Sequence, residues 1–320
     1  MADAVLLLAH GTADVVEEIP EYLSRVTGGR PLPEAVVEEV QHRFSAIGGS
    51  PLTQLTLEQG RLLAEELGLP VYVGMRNWKP YIADVVRRMR DDGVTRAAVI
   101  CLAPQNSRTS VGLYRRAVFA AAEGALALHF LDDWADHPLL ADAFAEQLRA
   151  VRDRFSAEAP SAVPVLFTAH SVPCRTVISA PPTDTGTPPD PPDPYPVEAK
   201  QTARLVAERV PGLTEDQWFF AFQSQGMSGG PWLGPTVEDT LAALHEQGVR
   251  QLIIQPIGFL CDHVEILYDI DIGFKNFAEK LGMAIRRPRS LNDSSLLTLA
   301  LADLARRGLT QAPGRTSPAR

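Results

Sequence analysis

Two apolar runs, VLLLAHGT (5–12) and VLFTAHSVP (165–173), each end in Ala-His followed by a small residue. Imidazole titrates near neutrality and can take up a proton or ligate a borderline metal, so His10 and His170 are candidates for either task. Each could instead bond only to the backbone of its own turn; the matched context of the pair favours function. A third segment, QPIGFLCDHVEILYDID (255–271), adds Asp262, Glu265 and Asp269. On one continuous helix the positions i, i+3 and i+7 share a face. Carboxylates four apart repel by a few tenths of a kcal/mol unless a cation compensates. The apolar surroundings of this stretch fit a plain solvated acidic face poorly. Carboxylate together with imidazole suits a divalent ion such as Fe(II). No HExxH and no tight set of three ligands is present, so the pattern points to a metal that passes through.

These residues must be positioned by an α/β framework. Short aliphatic runs mark strands at Val5–Ala9, Val71–Val73, Ala97–Leu102, Ala127–Leu131, Val163–Ala169, Trp218–Gln223, Gln251–Pro256 and Ala284–Arg286. Strands so uniformly apolar belong in parallel sheets covered on both faces. Amphipathic stretches between them, with Ile82, Val85, Val86 and Met89 or with Val237, Leu241 and Leu244 on one side, end at Gly93 and Gly248. Helix, Gly-Val, strand, proline then occurs twice, GVTRAAVICLAP and GVRQLIIQPIGF, which implies two similar βα halves. Ligand groups of parallel sheets gather at the strands' carboxyl ends. His10 and His170 therefore stand at equivalent strand ends facing one cleft. The expected division is residues 1–158, 159–290, and a C-terminal helix with a frayed tail over 291–320. The Pro-rich stretch 179–196 reads as an exposed loop.

Bulk properties narrow the function. A net charge of -9 disfavours nucleic acid as a partner. The first apolar run is too short for a secretory signal, and no stretch approaches the ~20 apolar residues of a membrane span. Three cysteines, Cys101, Cys174 and Cys261, cannot all pair, which suits a reduced cytoplasmic compartment. Cys174 and Cys261 lie beside the two site segments and are expected as thiols in the pocket wall. A monomer is expected, with a dimer as the alternative.

Over residues 4–290 these segments resemble the ferrochelatase family. AHSVP (169–173) is similar to the family's S-A-H-S-[LV]-P, and HVEILYD (263–269) to its H-[LV]-E-x-L-x-D. IGGSPL (47–52), VGMRNWKPYIAD (73–84), DPYP (193–196) and FQSQGMSGGPWLGPTVEDTL (222–241) match in the same order. The resemblance implies two similar Rossmann-like domains, each a four-stranded parallel sheet flanked by helices. It implies insertion of Fe(II) into a porphyrin to give haem in haem biosynthesis. His170 would accept a pyrrole proton, with Glu265 facing it and Asp269 extending a polar path, all three meeting Fe(II) transiently. His10, Arg76, Trp78, Ser107 and Arg108 are the expected porphyrin and haem contacts. No permanently bound cofactor is expected, and three scattered cysteines argue against a [2Fe-2S] cluster.

The chain departs from the family at His10, where tyrosine, methionine or phenylalanine is usual, and at Asn106, where an aromatic residue is common. After Tyr22 it lacks the arginine pair of some coproporphyrin-using members; Arg25 and Arg30 are the nearest cations. The A-x-G-T and RNW-P-Y segments favour coproporphyrin III over protoporphyrin IX. The alternatives are a porphyrin or haem carrier without turnover and a chelatase for sirohydrochlorin or a cobalt tetrapyrrole.

Overall fold

The protein is described from a computed structural model covering residues 2–157, 163–178, 191–226 and 230–310. The expected tail beyond 310, most of the Pro-rich stretch and residues 158–162 at the expected boundary lie outside the described residues.

Among the described residues eight strands form two sheets. β1 (Ala2–Ala9), β2 (Val71–Met75), β3 (Val94–Cys101) and β4 (Ala127–Leu131) lie in the order β2-β1-β3-β4. β5 (Val165–His170), β6 (Trp218–Gln223), β7 (Gln251–Pro256) and β8 (Ala284–Arg286) lie in the order β6-β5-β7-β8. Every pairing is parallel. The repeat in the sequence is thus a repeat of topology: two Rossmann-like, four-stranded parallel sheets flanked by helices. It extends to detail, since cis Lys79–Pro80 and cis Gly234–Pro235 occupy matching loops after β2 and β6. Met75 N–H donates to the Pro80 carbonyl at 2.7 Å, and Phe222 N–H to the Pro235 carbonyl at 2.8 Å.

Among the described residues twelve α-helices connect and cover the strands. In the first half they are α1 (Ile19–Val26), α2 (Glu34–Ile47), α3 (Leu52–Leu67), α4 (Ile82–Asp91), α5 (Val111–Ala122) and α6 (Pro138–Ala157). The second half adds α7 (Cys174–Val177), α8 (Tyr195–Ala207), α9 (Val237–Glu246), α10 (Val264–Leu267) and α11 (Lys275–Lys280), and α12 (Ser295–Thr310) closes the chain. A π turn over Asp269–Phe274 joins α10 to α11.

Strand alternation sorts the apolar residues into separate cores. Val5, Leu7 and Ala9 of β1 share one cluster with Val165, Phe167 and Ala169 of β5, filled in by α3, α6, α8 and α12. The intervening Ala4, Leu6 and Leu8 pack instead under α4 and α5. Leu166 packs under α9 and the π turn, with Leu252 and Ile254 of β7. Helix α12 returns to the first sheet, lying along β3 and against α3 and α6. Both halves are therefore sealed on the outside by their own helices and joined through a common interior.

Candidate active site

β1 and β5 deliver the two histidines to one cavity of about 380 Å³ between the sheets' carboxyl ends. Gly11, directly after His10, has φ 76° and no room for a side chain: a Cβ would lie 2.8 Å from Met75 Cβ and 2.9 Å from Trp78 N. The turn that presents His10 thus depends on glycine. His170 pairs with Gln223 at the last register position of β5 and β6. Ser171 anchors the following turn, its N–H donating to the Gln223 carbonyl at 2.7 Å and its hydroxyl to the Leu233 carbonyl at 2.8 Å.

The His170 ring has a fixed tautomer. Nδ1–H donates to the Ser171 carbonyl, leaving Nε2 to exchange a proton 3.2 Å from Glu265 Oε1. Burial works against the imidazolium, but the Glu265 carboxylate and its hydrogen bond win and hold His170 above its ordinary 6.5. Burial likewise opposes the Glu265 anion, yet His170, seconded by His263, holds that carboxyl well below its ordinary range. Both shifts favour the ionic form of the pair, and about a third of each side chain remains open to the cavity. His263 Nδ1–H donates to the Cys261 carbonyl at 3.0 Å, so its Nε2 faces Glu265 Oε2 at 3.4 Å. From behind, Gln223 Nε2 donates to the Glu265 carbonyl at 3.0 Å, itself oriented by the Thr168 hydroxyl at 2.6 Å.

His10 is set up the opposite way. Burial, then the Arg76 guanidinium, lowers it to about 4, so it is a neutral imidazole at pH 7. The Asn77 amide donates to its Nε2 at 3.0 Å. Arg76 Nε and Nη1 are buried and have no hydrogen-bond partner among the described residues, and the guanidinium lies 5.4 Å from the centre of the Tyr114 ring. A buried cation without a counter-charge is costly, and a ligand carboxylate would relieve it. Ser107 also lines the cavity, its hydroxyl 3.0 Å from that of Thr109.

Four expected placements are corrected. Trp78 is 1% exposed and does not face the cavity; it packs edge-on behind Tyr22, whose ring forms the wall. Arg108 points away, its guanidinium on the Pro191 carbonyl and its N–H on Asp193. Asp262 does not share a face with Glu265, because the backbone stays extended through His263 and α10 begins only at Val264. Its carboxylate is turned outward onto Ser290, Asn292 and Arg287. Cys174 heads α7 outside the wall, whereas Cys261 lines it with a thiol that burial pushes up to about 12. Asp269 lies one turn beyond Glu265 but on the π turn, accepting from Ser224 at 2.6 Å and meeting Arg43 at 3.3 Å. Burial raises its carboxyl. Arg25 is engaged by Glu21 on the surface. Among the described residues no three His, Cys, Asp or Glu side chains group as a metal cage.

A family model of the ferrochelatases matches residues 2–309. The chain belongs to the ferrochelatase family. A ferrochelatase of Acidobacterium capsulatum is 67% identical over 318 residues, 98% of this chain and 97% of that one. A coproporphyrin III ferrochelatase of Geobacillus thermodenitrificans is 32% identical over 318 residues, 96% of each. Among solved structures, SirB from Bacillus subtilis with Fe3+ superposes with a TM-score of 0.58 at 12% identity, covering 97% of this chain and 96% of that one. That likeness is one of fold.

Within this ferrochelatase, several residues in or beside the cavity gave little signal in the sequence. Tyr195, read only as part of DPYP, donates its hydroxyl to the His170 carbonyl at 2.7 Å. Asn77 and His263 stand beside residues that were singled out, and their spacing alone does not show which ring or carboxylate they meet. Gln105 reaches across the halves to Thr202 Oγ1 at 3.1 Å and the Ile257 carbonyl at 3.2 Å. No helix among the described residues is long and apolar enough to cross a membrane.

Proposed function

We propose that this ferrochelatase acts in the cytoplasm and inserts Fe(II) into coproporphyrin III. His170 is the proton acceptor and Glu265 the group that stabilises the proton it takes. The observation that carries this reading is the 3.2 Å approach of His170 Nε2 to Glu265 inside a cavity walled largely by apolar side chains. A porphyrin keeps its two N–H groups in its own plane, so they become accessible only when the ring is bent. Walls such as Tyr22, Leu52, Phe259 and Leu260 grip the faces and supply binding energy for that distortion. His170 accepts a departing pyrrole proton in its neutral form, reached once the pair has released its own proton to solvent through the cavity, and the imidazolium formed again is held by Glu265. Asp269 continues the polar file, and two protons leave as Fe(II) takes their place on the four nitrogens. Iron is substrate here, and the residues named do the proton work without a resident cofactor.

His10, neutral at the end of β1, faces the product from the other strand end. Arg76 supplies a counter-charge for a propionate, and Ser107 a hydrogen bond. Coproporphyrin III is favoured because it brings more carboxylates to this cavity, and because a relative of that name aligns along nearly the whole chain. The test is anaerobic Fe(II) insertion by purified protein with coproporphyrin III and protoporphyrin IX side by side. A higher kcat/KM for coproporphyrin III is expected. The reverse order reassigns the porphyrin, and stoichiometric binding without turnover identifies a carrier.

A further inference from the structure

A second cavity of about 600 Å³ opens between α6, the exit of β8 and the start of α11, and it shares no lining residue with the first. In a chain of net charge -9, its wall carries Arg154, Lys275, Arg286, Arg287 and Arg289 against two carboxylates, Asp262 and Asp271. Both carboxylates are committed to one cation. Arg287 donates to Asp271 from Nε at 2.8 Å and from Nη2 at 2.7 Å, and lies 3.3 Å from Asp262. Asp262 is further occupied by Ser290 at 2.6 Å and Asn292 at 2.9 Å. These bonds make a rigid floor. At the rim Arg289 is held by Asp293 at 2.6 Å, so the cations that face the opening without an ion pair among the described residues are Arg154 and Lys275.

Arg154 and Lys275, on opposite sides of the opening, are exposed and make no ion pair among the described residues. Arg286 lies over the Phe155 ring at 4.2 Å, a stack that fixes the guanidinium plane. Val151, Ile270 and Ile285 provide an apolar strip between the charges. A concave wall of one dominant sign focuses field and collects the opposite charge, and guanidinium groups bind phosphate or carboxylate bidentately.

We propose that this groove binds an organic polyanion, a small molecule with at least two phosphate or carboxylate groups on an apolar body. The occupant rests on the outer side of the loop at Asp262, whose neighbours Cys261 and His263 line the catalytic cavity. The proposal goes beyond the assignment of the chelatase site and is independent of it.

The test is calorimetric titration of the intact protein with metal-free ATP, inorganic pyrophosphate and citrate at about 0.15 M ionic strength. Titrations run with and without porphyrin filling the first cavity. Expected is saturable binding of one anion per chain, unaffected by porphyrin. It should weaken roughly tenfold or more in an Arg154→Glu/Lys275→Glu variant that keeps its thermal midpoint and its metal-insertion rate. Preference for ATP over citrate marks phosphate as the recognised group, and the reverse marks carboxylate; weak binding of pyrophosphate relative to ATP confirms the apolar strip. Absence of saturable binding by all three probes, displacement by porphyrin, or unchanged affinity in the double variant overturns the proposal.

Discussion

The ends of β1 and β5 occupy the same place in two copies of one topology, and both carry histidine, yet their electrostatics are opposite. His10 receives its neighbours from beyond β2, where Arg76 and Asn77 keep it neutral and hydrogen-bonded. His170 receives its neighbours from beyond β7, on the other side of its sheet, where Glu265 favours its protonated form. Topology places an imidazole; the adjacent strand's loop decides whether it trades protons. Two copies of one topology therefore carry one histidine held toward its charged form and one that stays neutral, with both facing the same cavity.

The contrast can be broken most directly at His170. Alanine there should lower kcat for Fe(II) insertion by about 10²–10⁴-fold, the usual worth of a positioned base, while porphyrin still quenches protein fluorescence on binding. Retained turnover would remove His170 from the proton path. Glu265→Gln should cost less, about tenfold or more, and should move the pH profile. Because His170 sits above 6.5 in the native pair, its accepting form grows as pH rises, and kcat should climb through a midpoint above 6.5. Without the carboxylate the Ser171 carbonyl and Asp269 still favour the cation, but the largest support against burial is gone, so the midpoint should fall. The linked stability has the same origin: the His170 contribution is complete below pH 6.5 and is lost as pH rises through the raised value, whereas the Glu265 contribution is complete above about 4.5 and is lost only in stronger acid. Thermal midpoints measured across that range should show this loss in the parent protein and not in Glu265→Gln.

The contrast is sharpened at His10. Arg76→Met removes the neighbouring cation, so the His10 titration followed by NMR should move up from about 4. KM for a carboxylate-bearing porphyrin should rise several-fold with kcat little changed. His10→Tyr should have the smallest effect on rate, within about twofold, and should shift the absorption bands of bound product haem. Unchanged bands would place His10 outside the iron's reach.

Much of this molecule can be read without coordinates, because β-strands buried on both faces leave unmistakable apolar runs and helices closed by Gly93 and Gly248 bound them. The ends of β1 and β5, and so the cleft, follow from that pattern. What the pattern hides is any side chain whose direction depends on a break in regular structure. Asp262 was grouped with Glu265 by helical spacing, but extended backbone at His263 turns it to the far side. Trp78 sits two residues from a cavity arginine, yet the turn around Gly11 draws it inward behind Tyr22. Arg108 is carried off by a loop that Asp193 pins through its backbone. Hydrogen bonds across 42 or 55 residues, such as Gln223 to Glu265 and Thr168 to Gln223, have no local signature at all.

The interior common to both sheets has a mechanical consequence. Val5, Leu7 and Ala9 lead straight to His10, and Val165, Phe167 and Ala169 to His170, all within one close-packed mass. Close-packed interiors yield little under load. On the proposed function the molecule would act as a calliper locked at one gauge: its jaws would keep their spacing, and the macrocycle entering at the rim would be the part that bends.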